Sequence, residues 1–172
     1  YKTLTAMPTG ISNNINYNFT IARNSVDQLI YPRQGSDVSL AAQMTFPYSL
    51  VNGKDYSSLS PAERYKWLEY YKINFRAAWY FNLFDDLVVS TRARFGFLGQ
   101  YNSKVGYSPF ERFYLGGDGL TGYNIDGREL VSLRGYEDLS LSPNGGGMVF
   151  DKYTMELRYP ITLSEGASVF AL

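Results

Sequence analysis

The most chemically pointed feature of this chain is one carboxylate among basic residues. Glu156 lies in the alternating run Tyr153-Thr154-Met155-Glu156-Leu157-Arg158-Tyr159, on the same side as Thr154 and Arg158. The matching sides of the neighbouring runs carry Lys72, Arg76, Arg92 and Arg94. An acid amid that much positive charge should be ionised and attract cations. Arg134, in Leu133-Arg134-Gly135-Tyr136, offers a planar fork that can grip a carboxylate bidentately. In the competing arrangement Arg92, Arg94 or Arg158 holds Glu156 and Arg134 is solvated. On the residues alone that arrangement is the stronger, because most loop arginines are surface groups. Glu137 and Asp138 compete locally for Arg134.

Other chemistry is scarce. The chain has no His and no Cys, which removes the commonest general base, the thiol nucleophile and the usual soft metal ligands. We therefore expect no enzyme, no catalytic residues, no cofactor and no metal. Gly117-Asp118-Gly119-Leu120-Thr121-Gly122 matches a dinucleotide fingerprint in letters only, since turn residues follow it where a helix is required. Asp118, Asn124, Asp126 and Gly127 miss the spacing of a helix-loop-helix calcium site. Sixteen basic residues balance sixteen acidic ones, which argues against binding nucleic acid through overall charge.

The elements that must position these residues alternate with period two. Ile15, Tyr17, Phe19 and Ile21 oppose Asn14, Asn16, Asn18 and Thr20. The same pattern runs over Asp37–Phe46, Tyr71–Phe81, Leu87–Phe97 and Tyr153–Tyr159, and a sixth run starts at Ala167. Strands of about ten residues, with large rings at both ends of the apolar face, match a tilted membrane-spanning strand. The expected fold is all-β: an antiparallel up-and-down transmembrane β-barrel, of which these six strands would be a fragment. A soluble sandwich with one wet face is the alternative. The chain lacks 18 consecutive apolar residues, so no transmembrane helix is expected. Both ends look cut, so residues 1–172 should be part of one barrel domain within a longer chain. Turns are expected at Asn82–Asp86 and Leu163–Gly166, and a short helix from about Pro61 to about Trp67 behind the capping box Ser60-Pro61-Ala62-Glu63. Asn102 to Lys152 forms the longest link and holds ten of the sixteen glycines. A loop of that size argues for function or disorder.

Phe113-Tyr114-Leu115-Gly116-Gly117, then Leu133-Arg134-Gly135-Tyr136, then Met155-Glu156-Leu157-Arg158-Tyr159-Pro160, together resemble the BamA family. These proteins are the central β-barrel subunits of outer-membrane protein assembly machinery. The link from Arg23 to Ser36 is also similar to a turn of that barrel. The resemblance covers nearly the whole chain, from about the eighth to the thirteenth strand. It implies N-terminal POTRA domains and a 16-strand barrel whose remaining strands lie outside this chain. It implies a place in the bacterial outer membrane and the folding and insertion of other β-barrels there. The partners would be the lipid bilayer, nascent barrel clients and accessory lipoproteins, with no nucleic acid. It also implies that the long loop folds into the lumen, with Arg134 contacting Glu156 and a second acid lying beyond Leu172. Phe113, Tyr114 and Tyr136 would pack the inserted loop. Gly116 and Gly117 would allow close approach to the wall, and Gly135 would free the backbone at the tip. A two-partner-secretion or TamA-type translocator, and a porin-like transporter, are the alternatives.

Overall fold

The computed structural model describes residues 11–117, 129–142, 145–164 and 167–171, with side chains as far as Tyr159. Six strands form one sheet in the order β1-β2-β3-β4-β7-β8. They are β1 (Asn16–Asn24), β2 (Gly35–Thr45), β3 (Tyr71–Phe84), β4 (Leu87–Gly99), β7 (Val149–Ser164) and β8 (Ala167–Ala171). The last two pair antiparallel. Two one-turn helices, α1 (Tyr48–Val51) and α2 (Pro61–Arg64), fill the link from β2 to β3. Two three-residue strands, β5 (Phe113–Leu115) and β6 (Glu129–Val131), pair parallel to each other within the long link.

The alternating residues form strands because one side can be wet while the other is apolar. Here the usual sidedness of a soluble protein is reversed. Tyr17 is 71% exposed, Tyr153 77% and Met155 75%, whereas Lys72, Ser90 and Arg158 are buried. Ile15, Phe19, Ile21, Phe81, Leu157 and Tyr159 are exposed as well. A soluble sheet buries its apolar face, so the sandwich expectation fails and the sheet is built to meet lipid.

The chain divides into two compact units. One comprises Tyr1–Phe19, Ala42–Ile73 and Gly96–Phe150, and the other Thr20–Ala41, Asn74–Phe95 and Asp151–Leu172. The first holds both long links and a core of Leu68, Tyr70, Leu98, Phe113, Val131 and Phe150. The second holds the turns that join β1 to β2 and β3 to β4.

Several boundaries differ from the sequence expectation. The helix ends at Arg64 because the next residues turn to pair with Asn13: Lys66 O accepts from Asn13 N at 2.8 Å, and Leu68 N donates to Asn13 O at 3.0 Å. The turn expected over Asn82–Asp86 is confined to Asp85 and Asp86, because Leu83 keeps the odd-numbered apolar rhythm of β3. Asp85 takes a left-handed φ of 48°, which a short acidic side chain tolerates. Strand β7 starts at Val149, so the long link is shorter than expected at its far end. The turn expected at Leu163–Gly166 lies partly outside the described residues, as does most of the Gly117–Gly122 glycine motif.

Candidate functional site

Phe113 organises the first unit. Its side chain is fully buried and meets Phe150 edge-on, with ring centroids 4.8 Å apart. Gly96 of β4 makes this possible, because a Cβ there would overlap both rings. Above the Phe113 ring lies the Lys72 ammonium, 4.7 Å from the centroid. Lys72 Nζ also pairs with Glu129 Oε2 at 2.8 Å and with Glu111 Oε2 at 3.4 Å. Two carboxylates from the long link and one aromatic face thus meet the three N–H donors of a buried cation. Lys72, Gly96, Leu98 and Phe150 are all even-numbered, so the link is seated on the side of these strands opposite their exposed apolar residues.

The polar surroundings continue outward from Glu111. Asn14 Nδ2 donates to Glu111 Oε1 at 3.2 Å and to the Tyr70 hydroxyl at 3.1 Å. Gln43 Nε2 donates to the same hydroxyl at 2.7 Å. Burial pushes the Tyr70 hydroxyl well above the usual tyrosine range, and the Glu111 carboxylate adds to the shift. Tyr70 therefore stays neutral and serves as a hydrogen-bonding hub.

The two motifs of the long link form one hydrogen-bonded structure. Gly117 N donates to Tyr136 O at 3.0 Å, and Leu133 N donates to Gly117 O at 2.8 Å. Gly117 therefore grips both ends of Leu133-Arg134-Gly135-Tyr136. Within it Tyr136 N donates to Leu133 O at 3.4 Å, Gly135 has φ 87°, and Arg134 has no positive φ. That is a type II turn with glycine where the turn demands a left-handed residue. Gly116 N donates to Val131 O at 3.2 Å, and a Cβ on Gly116 would overlap the Glu137 carbonyl. Gly117, at φ 80°, is crowded by the Asp138 carboxylate. Tyr114 is buried and its hydroxyl donates to Gly145 O at 3.1 Å. The antiparallel bridge between Phe113 and Gly147 closes the other edge of β5. Leu133 is half-buried, whereas Arg134 and Tyr136 are exposed.

Glu156 belongs to the second unit. Its Oε2 accepts from Arg158 Nη2 at 2.6 Å, from Arg158 Nε at 3.0 Å and from Arg92 Nη2 at 3.2 Å. These are two of the three arginines named as rivals of Arg134. The Arg158 guanidinium also lies 5.6 Å from the Tyr80 ring centroid and 5.9 Å from that of Tyr31. Tyr31 carries a left-handed φ of 53° in the turn between β1 and β2. The arrangement fixes that turn to β7 and neutralises the acid.

Sequence reasoning missed the clasp formed by Lys72, Glu111 and Glu129. Parity put Lys72 on the polar side, but nothing in the spacing links it to acids 39 and 57 residues onward. It also missed Gly96, whose role depends on two rings from distant segments.

The Omp85 superfamily domain matches residues 2–171. Among solved structures, the chain is similar to BamA from Haemophilus ducreyi lacking POTRA domains 1-3. The identity is 18%, the TM-score is 0.61, and the match covers 88% of this chain and 26% of that one. This chain therefore spans about a quarter of that structure's length. No curated protein matches the sequence.

Proposed function

The chain belongs to the Omp85 superfamily, and from that premise we propose that it is part of a bacterial outer-membrane insertase that folds and inserts other β-barrels. The observation that carries this reading is the combination of a lipid-facing apolar stripe with a long link seated on the opposite side. Tyr17, Tyr153 and Met155 are exposed, while Phe113 of the link and Lys72 of β3 are buried. In a closed barrel that opposite side is the lumen. We read the link as a folded insert that stiffens the wall while strands elsewhere exchange with clients. No step of this work needs covalent chemistry by this chain. Its partners would be the bilayer, unfolded barrel clients and accessory lipoproteins.

In this reading Arg134, held at the tip of its type II turn, is the partner of Glu156. The family resemblance supports that link. Arg92 and Arg158 supply the rival contacts to the same acid.

The reading is tested by reconstituting the full-length protein in vesicles and following the folding of an unfolded barrel client. An insertase speeds client folding in vesicles that contain it over empty ones. Equal rates, with export of one dedicated substrate, would instead indicate a translocator of the same superfamily. Ion conductance without either would indicate a porin-like transporter.

A further inference from the structure

The link between β2 and β3 encloses a small basic cavity apart from the long link. It has a volume of about 250 Å³, and its charged lining residues are Lys54, Arg64, Lys66 and Glu63. Three cations thus face one carboxylate. That carboxylate is already engaged, since Ser60 Oγ donates to Glu63 Oε2 at 2.9 Å in the capping box of α2. Arg64 is held in place, with Nη2 donating to Leu59 O at 3.2 Å. Its Nε is buried and has no acceptor among the described residues. Protein atoms cover that Nε, so an anion in the cavity would be met by the charge of Arg64 together with the exposed Lys54 and Lys66.

The frame is preformed. The parallel bridge between Asn13 and Trp67 fixes the wall that carries Lys66. Buried Tyr56 bonds to Asn52 on the other side. Beside the cavity runs an aromatic row, with Phe46 and Tyr48 5.2 Å apart and Tyr48 and Trp67 5.2 Å apart. Phe46, Leu50, Val51 and Trp67 are exposed, and Met44 and Phe46 continue the exposed apolar side of β2. Aromatic rows of this kind mark the boundary between lipid tails and head groups. Cations just beyond such a boundary meet lipid phosphates.

We propose that this cavity binds the head-group phosphate of a lipid in the leaflet next to the β2–β3 link, with Arg64 as the principal contact and Lys54 and Lys66 beside it. The inference rests on the outer-membrane barrel reading. A lipid phosphate fits better than a free one because the cavity opens beside exposed apolar side chains that can receive acyl chains.

The test uses the full-length protein purified in detergent, with lipid retention read by native mass spectrometry. The probes are lipid A, dephosphorylated lipid A and inorganic phosphate. Resistance of the folded barrel to SDS at room temperature confirms folding separately, so a failed barrel reading is distinguishable from a failed lipid site. The expected result is retention of lipid A roughly tenfold or more above its dephosphorylated form. The triple variant Lys54→Gln, Arg64→Gln, Lys66→Gln should abolish that preference. Arg64→Lys, which keeps the charge but removes the planar fork, should weaken it. Lys104→Gln, at an exposed residue paired with Asp55, should leave it unchanged. Equal retention of both lipids by the unaltered protein, or a preference that survives in the triple variant, would overturn the proposal. Displacement of the lipid by equimolar inorganic phosphate would also overturn it, by showing a site for the free anion.

Discussion

The Lys72 ammonium sits over the Phe113 ring while its charge is met by Glu129 at 2.8 Å. A strand residue is thereby locked to a residue 41 positions away and to an acid on β6. The pair converts the polar side of β3 into a seat for the long link.

Lys72→Glu should unseat that link, because it places three carboxylates together beside an aromatic face. Proteolysis of the link in the folded protein should rise by roughly tenfold or more, matching about 1.4 kcal/mol or greater. Adding Glu129→Lys to Lys72→Glu should restore part of the protection. Lys72→Met, which keeps the stem over Phe113, should fall between the two. A double variant no better protected than Lys72→Glu alone would show that charge pairing does not hold the link.

Gly96→Val should loosen the same core as truncating Phe113, by a different route and less severely. A side chain on Gly96 takes the space of the Phe113 and Phe150 rings. Overpacking of this kind costs about 1–3 kcal/mol, and Phe113→Ala about 3–5 kcal/mol. Both should increase hydrogen exchange in β5 and β6 without loss of the β1–β4 amides. Unchanged exchange in β5 would contradict the packing.

Gly117→Ala and Gly135→Ala should differ. Nothing lies within 4 Å of a Cβ on Gly135, so its substitution costs only the left-handed backbone, about 1–2 kcal/mol. Gly117 has the same backbone requirement and in addition meets the Asp138 carboxylate. Asp138→Ala should therefore relieve part of the Gly117→Ala defect and none of the Gly135→Ala defect, as read by protease protection of the turn.

Glu69 gives the β2–β3 link a pH dependence. Its carboxylate accepts from Ser49 N and from Ser49 Oγ, each at 2.6 Å, and burial raises its pKa despite those bonds. A carboxyl with a raised folded-state pKa binds protons more tightly folded than unfolded. Its contribution is fullest below the ordinary Glu value of about 4.3 and declines as pH rises through the raised one. Hydrogen exchange of α1, corrected for intrinsic rates, should show weakening protection from pH 4 to 7. Glu69→Gln should flatten the profile, and a profile that strengthens with pH would contradict the assignment.

Arg134→Glu should loosen the link if Arg134 reaches Glu156, and Glu156→Arg in the same chain should partly restore protease protection. If the double variant is no better than either single one, Arg92 and Arg158 account for the acid and the proposed link is wrong.

The strands were legible because parity is a local property. Ile15, Tyr17, Phe19 and Ile21 declare their side within one short segment, and the rhythm carried through to Leu83. The capping box gave the start of α2, since Ser60, Pro61 and Glu63 act within one turn. Its end was not legible, because it depends on Asn13, about fifty residues earlier. The parallel pairing of β5 with β6 was hidden for a similar reason: three residues are too few to show a period. Glu156 was legible as an acid among cations, but its neighbours were not, because three arginines on one side of the sheet present the same letters. The clasp at Lys72 needs the path of the whole link.

An insertase that assembles other barrels is needed by all of them, so its depletion should be felt across the outer membrane. The full-length protein would be depleted in the bacterium that makes it, and every outer-membrane barrel quantified. A general loss of barrels is expected, reversed by the unaltered gene and only weakly by one encoding Lys72→Glu. Barrel levels that stay normal after depletion, with one secreted substrate missing or none, would contradict it.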